Sequence, residues 1–410
     1  MKNIVHKFTK NSLSDVTKLK NIVRVVRGKN EVIVISPSSK IIYLLDKSIT
    51  SSKNKKDYRH YTSQVLKSYT SLIKSLPIDG KSSLLKIIQR GTEEVNKILE
   101  TISLANYCSN LLKNLVLSYG SLWHARLVEF YLKNHNLPVN LIDTKLMLVF
   151  DSFDPIKINW KDSQKNLSRW NLSDSTIILP SNLGSNNKGD KVVVACEDYT
   201  SSYVSKILEA EKFFIWTDTT GIHTANIKLV KSVKTINAMS YKEFIEFSYF
   251  GTTVMSTFAI NLLSDCSIAI QIKNINLPEL SGTIVSNQIS RDEEIAKGIK
   301  SDSDIALISV QSNGNTSIST ICYKIFSILE DINISTKMVS QSSSEHSICF
   351  AIKIKHARKV LNMLEKTFRM ELSNGEVQKI SLHKDCVRIK VIGEGMRSNP
   401  GALSKIIEPL

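Results

Sequence analysis

Cysteine and histidine are the side chains of this sequence that serve as nucleophiles or zinc ligands when their spacing is right. Six cysteines occur, with no C-x-x-C pair and no short regular spacing, at positions 108, 196, 266, 322, 349 and 386. His383 and Cys386 form an H-x-x-C pair, but no second pair completes a four-ligand zinc site. No Ser-His-Asp or Cys-His nucleophile arrangement stands out. We interpret most of the cysteines as reduced core residues and the His383/Cys386 pair as a surface feature, and we predict no metal site.

The charge balance and apolar content of the chain exclude several classes of protein. The 410 residues include 54 lysines and arginines against 38 acidic residues, a net charge of +16. The lysines are scattered, with one small cluster at 51–60, so we expect no nucleic-acid partner. No apolar run approaches the ~18 residues of a membrane span, and the N-terminus lacks a signal-peptide core. We expect a cytoplasmic globular protein without a membrane segment.

Strand and helix patterns alternate over roughly the first 290 residues. Residues 3–8 predict a strand, 16–26 a helix from their apolar spacing, and 31–36 a buried strand, which together make a βαβ unit. Residues 57–135 predict mostly helix. Short apolar strands and helices continue to the end of this region, including one long helix over 241–265. The alternation predicts an α/β domain with three layers, α/β/α, over residues 1–290.

The pattern changes after residue 300 to strand, helix, strand, strand, helix. This order is typical of a small ferredoxin-like (βαββαβ) module, which we place at 300–375. A further strand, loop and helix follow, and VIGEGM at 391–396 occupies a place equivalent to VQSNG at 310–314. We predict that 376–410 begins a second, truncated copy of the module.

Several motifs carry a family resemblance, of which the segment from Phe213 to Met255 is the clearest. It contains W-T-D-T-T-G at 216–221 and Y-F-G-T-T-V at 249–254, where aspartokinases have W-T-D-x-x-G and Y-F-G-A-K-V. Further similar segments occur in family order, at 32–39, 184–189, 278–283, 340–352 and 391–401. The chain resembles the aspartokinases over nearly its whole length, with an amino acid kinase domain followed by ACT domains.

The resemblance implies a reaction and a mode of regulation. Aspartokinases transfer a phosphoryl group from Mg²⁺-bound ATP to the side-chain carboxylate of L-aspartate, the entry to lysine, threonine and methionine synthesis. Their ACT domains bind an amino-acid effector, here lysine or threonine, and regulate the kinase allosterically. The family also implies a homo-oligomer, a dimer or larger. Phosphoryl transfer needs backbone amides that bind the phosphates, cations close to the transferred phosphoryl group and an acceptor carboxylate held in a fixed position.

The motif positions imply a role for each matching residue. Lys7 is expected at the transferred phosphate, and Asp198 is expected to orient the acceptor or metal-linked water. Substrate-binding positions are Ser36, Ser38 and Ser121. Nucleotide-binding positions are Ser12, Thr217, Asp218, Gly221 and Lys228. Effector-binding positions are Asn313, Asn315, Ser317, Gln341, Ser343, Ser344 and Glu345.

A structural interpretation of the same residues stays open at this stage. Lys7 could be a solvent lysine at a strand end, and Asp198 could cap the helix that follows it. Ser36, Thr217 and Asp218 could cap turns. The effector-strand residues could form a plain exposed strand end.

Several loops depart from the family pattern. The loop K-F-G-G-T-S is here K-F-T-K-N-S at 7–12, without glycines that permit close phosphate approach. The second glycine loop has lost its arginine and its glycines, and Glu197 precedes Asp198. Ser121, Asp154 and Thr253 stand where the family has an acid, a glycine and a lysine. Two hypotheses follow: an active aspartate kinase, or an inactive homologue that senses an amino acid as a regulatory subunit or is the remnant of an aspartokinase–homoserine dehydrogenase fusion.

Overall fold

The protein is described by a computed structural model that divides into two compact units. The described residues are 3–153, 156–181, 183–186, 191–193, 197–249, 254–287, 295–342, 346–397 and 399–408. Unit 1 comprises Met1–Gly298 with Gly393–Leu410, and unit 2 comprises Ile299–Ile392. No helix among these described residues has the length and apolarity that crossing a membrane requires.

The strands and helices of the described residues follow the alternation expected from the sequence. The strands are β1 Ile4–Phe8, β2 Glu31–Ile35, β3 Val139–Leu141, β4 Val149–Phe153, β5 Ile156–Ile158, β6 Thr176–Pro180, β7 Leu183–Asn186, β8 Lys191–Val193, β9 Lys212–Thr217, β10 Ala238–Met239, β11 Ala269–Asn274, β12 Thr283–Val285, β13 Gly298–Ser312, β14 Met338–Ser342, β15 Ser347–Lys353 and β16 Val377–Ile392. The helices are α1 Val16–Asn21, α2 Ser39–Lys53, α3 Arg59–Ser75, α4 Lys81–Ala105, α5 Asn110–Lys133, α6 Trp160–Leu167, α7 Glu197–Ile207, α8 Tyr241–Tyr249, α9 Thr257–Asp265, α10 Ile318–Asp331, α11 Ala357–Thr367, α12 Arg369–Ser373 and α13 Ala402–Ile407.

A large sheet forms the centre of unit 1, with the strand order β10-β12-β11-β9-β1-β2-β6-β3. The pairs β1–β2, β1–β9, β2–β6 and β9–β11 are parallel, whereas β11 and β12 are antiparallel. β2 is buried along its whole length, as the continuous apolar run predicted. The predicted βαβ unit and the three-layer α/β/α fold are confirmed.

The two faces of this sheet are covered by different helices. Phe8, Ile33 and Ile35 belong to one buried cluster with residues of α2, α3, α4 and α5. Because side chains alternate along a strand, Lys7 projects from the opposite face, where α7 lies. Strand β1 therefore presents one side to an apolar core and the other to polar groups of α7.

A second, four-stranded sheet in unit 1 has the order β5-β4-β7-β8. We expected residues 181–191 to form a polar loop, and this was wrong for Leu183–Asn186, which forms strand β7. The strand forms because its backbone pairs on both sides, with β4 in parallel and with β8 antiparallel.

Unit 2 is a four-stranded sheet in the order β14-β15-β13-β16, and its buried cluster contains side chains of α10 and α11. Ile308, Phe350, Ile325 and Leu364 are among the fully buried side chains of this cluster. The helix-on-sheet arrangement agrees with the predicted ferredoxin-like module. β16 is the fourth strand of this sheet, so the sheet continues past the predicted boundary at 376. The second copy predicted for 376–410 stays a prediction.

Candidate active site

The carboxyl ends of four parallel strands meet at one edge of the large sheet. Phe8 aligns with Ile35 and Trp216, and Ile35 aligns with Pro180. The backbone continues this register beyond the strands, since Thr9 N donates to Trp216 O at 3.1 Å. Ligands of open α/β sheets bind outside the carboxyl ends of the strands. This edge is therefore the place to look for a binding site.

A buried ion pair lies at this edge between Lys7 and Asp198. The Lys7 ammonium donates to the Asp198 carboxylate and, at 3.2 Å, to Val254 O, and Lys7 is only 3% exposed. Burial disfavours ionisation of Asp198, but the charge and hydrogen bond of Lys7, with the Ser256 N–H, outweigh it and lower the pKa of Asp198. The Asp198 carboxylate is therefore ionised at neutral pH. Lys7 is not the solvent-exposed lysine that the sequence left open.

Asp198 reaches this position because it lies in the first turn of α7. An acidic side chain there is stabilised by the partial positive charge of the helix N-terminus. Its second carboxylate oxygen accepts a hydrogen bond from Ser256 N at 2.5 Å. Asp198 thus connects α7, strand β1 and the segment before α9, which goes beyond a capping role.

The segment between α8 and α9 corrects one prediction. We predicted a single helix over 241–265, whereas the structure has two helices, Tyr241–Tyr249 and Thr257–Asp265. Val254 O and Ser256 N, which would bond within a continuous helix, bond to Lys7 and Asp198 instead. The site therefore supplies the hydrogen bonds that a helix would otherwise provide.

A second ion pair lies beside the first, between Lys10 and Glu197. Lys10 Nζ is 3.2 Å from Glu197 Oε1, and their side chains are 48% and 17% exposed. The sequence motifs did not predict this pairing. No local pattern signals a contact between positions so far apart in the chain.

The predicted substrate-binding serines lie near the same edge in different environments. Ser36 Oγ is buried and has no hydrogen-bond partner among the described residues. Ser38 is the N-cap of α2 and accepts from Ile41 N at 3.4 Å. Ser121 is fully buried and shares a 3.2 Å hydrogen bond with Ser181. Of the three, Ser36 has the hydroxyl that is not already used within the described structure.

The predicted nucleotide-binding residues divide between the sheet edge and a turn after β9. Ser12 is buried and donates to Thr9 O at 2.8 Å. Thr217 Oγ1 accepts from Thr219 N at 3.0 Å, so its turn-capping interpretation is confirmed. Asp218 is exposed at its side chain, and its carbonyl accepts from Asn274 Nδ2 at 3.3 Å.

Gly221 and Lys228 follow in the same stretch of chain. Gly221 has a φ of +138°, and a Cβ atom there would lie 2.5 Å from Thr283 Oγ1. The turn therefore requires glycine at this position. Lys228 is exposed. The nucleotide roles of these residues stay predictions.

The predicted effector-binding residues lie in unit 2, after β13 and along β14. Asn315 N donates to Asn313 Oδ1 at 2.8 Å, and Ser317 immediately precedes α10. Gln341 lies on the edge strand β14. Ser343, Ser344 and Glu345 lie outside the described residues, as do Asp154 and Thr253.

A cavity of about 440 Å³ opens beside the N-terminus of α2. Its lining includes Ser38, Lys40, Tyr69 and His124. His124 is buried, its Nε2 is 3.0 Å from Leu13 O, and Nδ1 is 3.5 Å from the Tyr69 hydroxyl. Burial lowers the pKa of His124 to about 4 despite the opposing hydrogen bond to Leu13 O. The imidazole is therefore neutral at pH 7, with Nε2 as the donor.

This neutral histidine predicts a loss of stability in mild acid. In the unfolded chain His124 is protonated below about pH 6.5, whereas in the folded protein it is protonated only below about pH 4. The contribution of His124 to the free energy of unfolding is therefore fully present above pH 6.5 and is lost as the pH falls towards 4. We expect about 2 kcal/mol less stability at pH 5 than at pH 7 from this group. Urea unfolding at both pH values measures it. His124→Gln, which keeps an N–H donor for Leu13 O, should flatten that pH dependence, and an unchanged slope would contradict the assignment.

Metal-binding clusters are not evident in the described part of the chain. Among the described residues, no three His, Cys, Asp or Glu side chains gather in a way that could hold a metal ion.

Two stretches of the chain match known protein families. Residues 2–274 match the amino acid kinase family. The chain belongs to the amino acid kinase family. A separate match, over residues 308–368, is to the ACT domain. The chain therefore contains both parts that the sequence motifs predicted, and the resemblance to aspartokinases is confirmed.

Relatives of this chain are named as aspartokinases. It is 26% identical over 428 residues to the chloroplastic bifunctional aspartokinase/homoserine dehydrogenase 2 of Arabidopsis thaliana, covering 99% of this chain and 46% of that protein. It is 26% identical over 219 residues to an aspartokinase of a Bacillus species, covering 52% of this chain and 51% of that protein. The chain spans about half the length of the curated relatives it matches.

Solved aspartate kinases share the fold of this chain. The Clostridium acetobutylicum aspartate kinase has a TM-score of 0.78 at 24% identity and covers 100% of this chain and 90% of its own. Aspartokinase III of E. coli, solved in complex with aspartate and ADP, has a TM-score of 0.78 at 19% identity, with coverages of 99% and 91%. At these identities the likeness establishes the fold.

Proposed function

We propose that this amino acid kinase phosphorylates the side-chain carboxylate of L-aspartate with ATP, as an entry to lysine and threonine synthesis. The observation that carries the proposal is the buried Lys7–Asp198 pair at the carboxyl edge of the sheet. A fixed cation there is what a transferring phosphoryl group requires, because negative charge spreads over its oxygens. The aspartate and ADP bound to the E. coli enzyme of the same fold support the choice of substrates.

The reaction is balanced without a proton transfer. An oxygen of the aspartate carboxylate attacks the γ-phosphorus, and the bond to the β,γ-bridging oxygen breaks. ADP leaves with that electron pair, and 4-phospho-L-aspartate forms. A carboxylate is already ionised at pH 7, so no general base is needed. Mg²⁺ enters with ATP as part of the substrate and supplies charge neutralisation on the phosphates.

Within this scheme each predicted residue has a stated task. Lys7 attracts the charge on the transferring group, and Asp198 orients the Lys7 ammonium by holding it. Ser36 has a buried hydroxyl without a partner among the described residues, so it can donate to a substrate oxygen. Ser38 and Ser121 are assigned, like Ser36, to the binding of L-aspartate. Ser12 and Thr217 are assigned to the binding of the nucleotide.

An inactive, amino-acid-sensing homologue is the second candidate function. The observation that favours it is the charge at the sheet edge, where two lysines face two carboxylates, Asp198 and Glu197. A neutral cluster attracts phosphates less than the arginine-bearing loop of the family pattern. Under this hypothesis the chain binds an effector in unit 2 and does not turn over ATP.

Coupled ADP release by the purified chain with Mg²⁺-ATP separates the two functions. Aspartate-dependent ADP release, with trapping of the acyl phosphate by hydroxylamine, supports the kinase. ADP release that is equal with and without L-aspartate counts against it. L-Asparagine is the matched control, since its side-chain amide lacks the nucleophilic carboxylate.

We propose that the protein is a homo-oligomer, a dimer or larger. We also propose that unit 2 binds lysine or threonine at the loop 313–317 and along β14. A ligand at one hundred times its Kd stabilises the folded state by about 2.7 kcal/mol. We therefore expect one of the two amino acids to raise the melting temperature by several degrees. Asn315→Ala should abolish the rise, L-alanine serves as the control ligand, and no rise with either amino acid would contradict the assignment.

A further inference from the structure

The two ion pairs at the sheet edge have a common geometry. Lys7 and Lys10 extend from the end of β1, and they meet the neighbouring carboxylates Asp198 and Glu197 in the first turn of α7. The first pair is buried, with side chains 4% and 13% exposed. In the second pair Lys10 is 48% exposed. One lysine is thus fixed within the protein, and the other reaches the same helix turn from the solvent side.

The exposure of Lys10 determines how firmly Glu197 holds it. Ion pairs in contact with solvent are weak, because water screens the attraction and two long side chains lose freedom. Lys10 can therefore exchange one anion for another. A phosphate chain carries more charge than a carboxylate and offers more acceptor oxygens. An incoming polyphosphate competes effectively with Glu197 for this ammonium group.

We propose that Lys10 is a phosphate-binding residue of the kinase site, and that Glu197 holds its ammonium group at α7 until the phosphates of a nucleotide replace the carboxylate. The position lies in the loop 7–12, which lacks the two glycines of the family pattern. A lysine side chain there binds a phosphate through its charge, whereas glycine allows backbone N–H groups to approach the phosphate closely. The inference rests on the proposed function only in taking the anion to be that of ATP.

Competition between Glu197 and phosphate has consequences for nucleotide binding. We expect Lys10→Gln to raise the Kd for ATP about tenfold, the loss of one charge-assisted contact. We expect Glu197→Gln to lower that Kd about threefold, because Lys10 is then released from its internal partner. The gain should disappear in the double variant, since without Lys10 there is nothing to release.

Calorimetric titration of the full chain with ATP, with and without Mg²⁺, tests the proposal. Lys18→Gln is the matched control, since Lys18 in α1 is paired at 3.4 Å with Asp15, the N-cap of the same helix. The Kd of this variant for ATP should equal that of the wild type. Adenosine, which has no phosphate, should bind all variants equally. These outcomes would support the proposal.

Three outcomes would overturn it. They are an unchanged Kd in Lys10→Gln, an equal gain from Glu197→Gln with and without Lys10, and no measurable ATP binding by the wild type. Failure of the proposed kinase activity is distinguishable from these, because it is read from turnover. Lys10-dependent ATP binding without aspartate-dependent ADP release would contradict the aspartate kinase function and support the present inference.

Discussion

Replacing Lys7 by methionine is expected to reduce aspartate-dependent ADP release about 10³-fold, the loss typical of one preorganised electrostatic contact. Lys7 is 3% exposed and has its ammonium fixed by Asp198 and Val254 O. Methionine keeps an unbranched apolar stem of nearly the same length and removes the charge. The loss should therefore fall on kcat, since the charge matters most when the phosphoryl group is in transit.

The same change leaves Asp198 buried without its cation. Removing one partner of a buried pair typically destabilises a protein by about 3–5 kcal/mol. The double variant Lys7→Met/Asp198→Asn removes both charges and should recover most of that stability without recovering turnover. Steady-state kinetics and urea unfolding on the same preparations separate the two effects. Retention of more than a tenth of the wild-type kcat in Lys7→Met would contradict a role for Lys7 in phosphoryl transfer.

Replacing Glu31 by alanine is expected to destabilise unit 1 by about 3–5 kcal/mol, through the loss of a buried, multiply bonded carboxylate. Glu31 is 1% exposed and accepts from Arg27 N at 2.7 Å and Gly28 N at 3.3 Å. His6 Nε2 lies 3.3 Å from it. Trp216 Nε1 donates to His6 Nδ1 at 3.0 Å, so the His6 proton is on Nε2 and points to Glu31.

The hydrogen bonds of Glu31 also make the free energy of unfolding depend on pH in the acid range. Burial disfavours ionisation of Glu31, but hydrogen bonds from His6 and from two backbone amides outweigh it and lower its pKa. A carboxyl group with a lowered pKa stabilises the fold above its unfolded pKa, near 4.5, and loses that contribution as the pH falls through the folded value. Glu31→Ala should therefore be most destabilising at neutral pH and less so below pH 4.

Urea unfolding at pH 7 and at pH 4 measures both effects. Glu279→Ala is the matched control, since Glu279 forms an exposed pair with Arg24 at 3.5 Å and should change stability by less than about 1 kcal/mol. Equal effects of the two substitutions would contradict the assignment of Glu31 as a structural anion.

Much of the fold could be predicted because its signals are local. β2 and β9 are short apolar runs, and helices α2, α3 and α4 show a clear amphipathic period. The motif around Trp216 indicated the family, and the apolar pattern of residues 3–8 indicated strand β1, in which Lys7 lies. These features depend on residues that are close together in the chain, so a single sequence is enough to predict them.

The rest of the site depends on contacts between distant parts of the chain. Lys10 and Glu197 are 187 positions apart, and the break between α8 and α9 forms because Lys7 and Asp198 take the hydrogen bonds of Val254 and Ser256. Glu31 begins a strand and reads as a surface residue, but its partners are backbone amides and a histidine. No periodicity in the sequence records such partners.

The chain enters unit 2 after Gly298 and returns to unit 1 at Gly393, so unit 1 is built from two separate stretches. The returning stretch is bound there by Glu394 N, which donates to Glu243 Oε1 at 2.9 Å, and by an ion pair of Lys242 and Glu394 at 3.8 Å. A truncation at residue 376 would consequently damage both units, removing strand β16 from one and a hydrogen-bond donor to Glu243 from the other. Unit 2 is an insertion within unit 1, and a single peptide-bond cleavage between residues 298 and 393 would leave the two stretches of unit 1 joined only by noncovalent contacts.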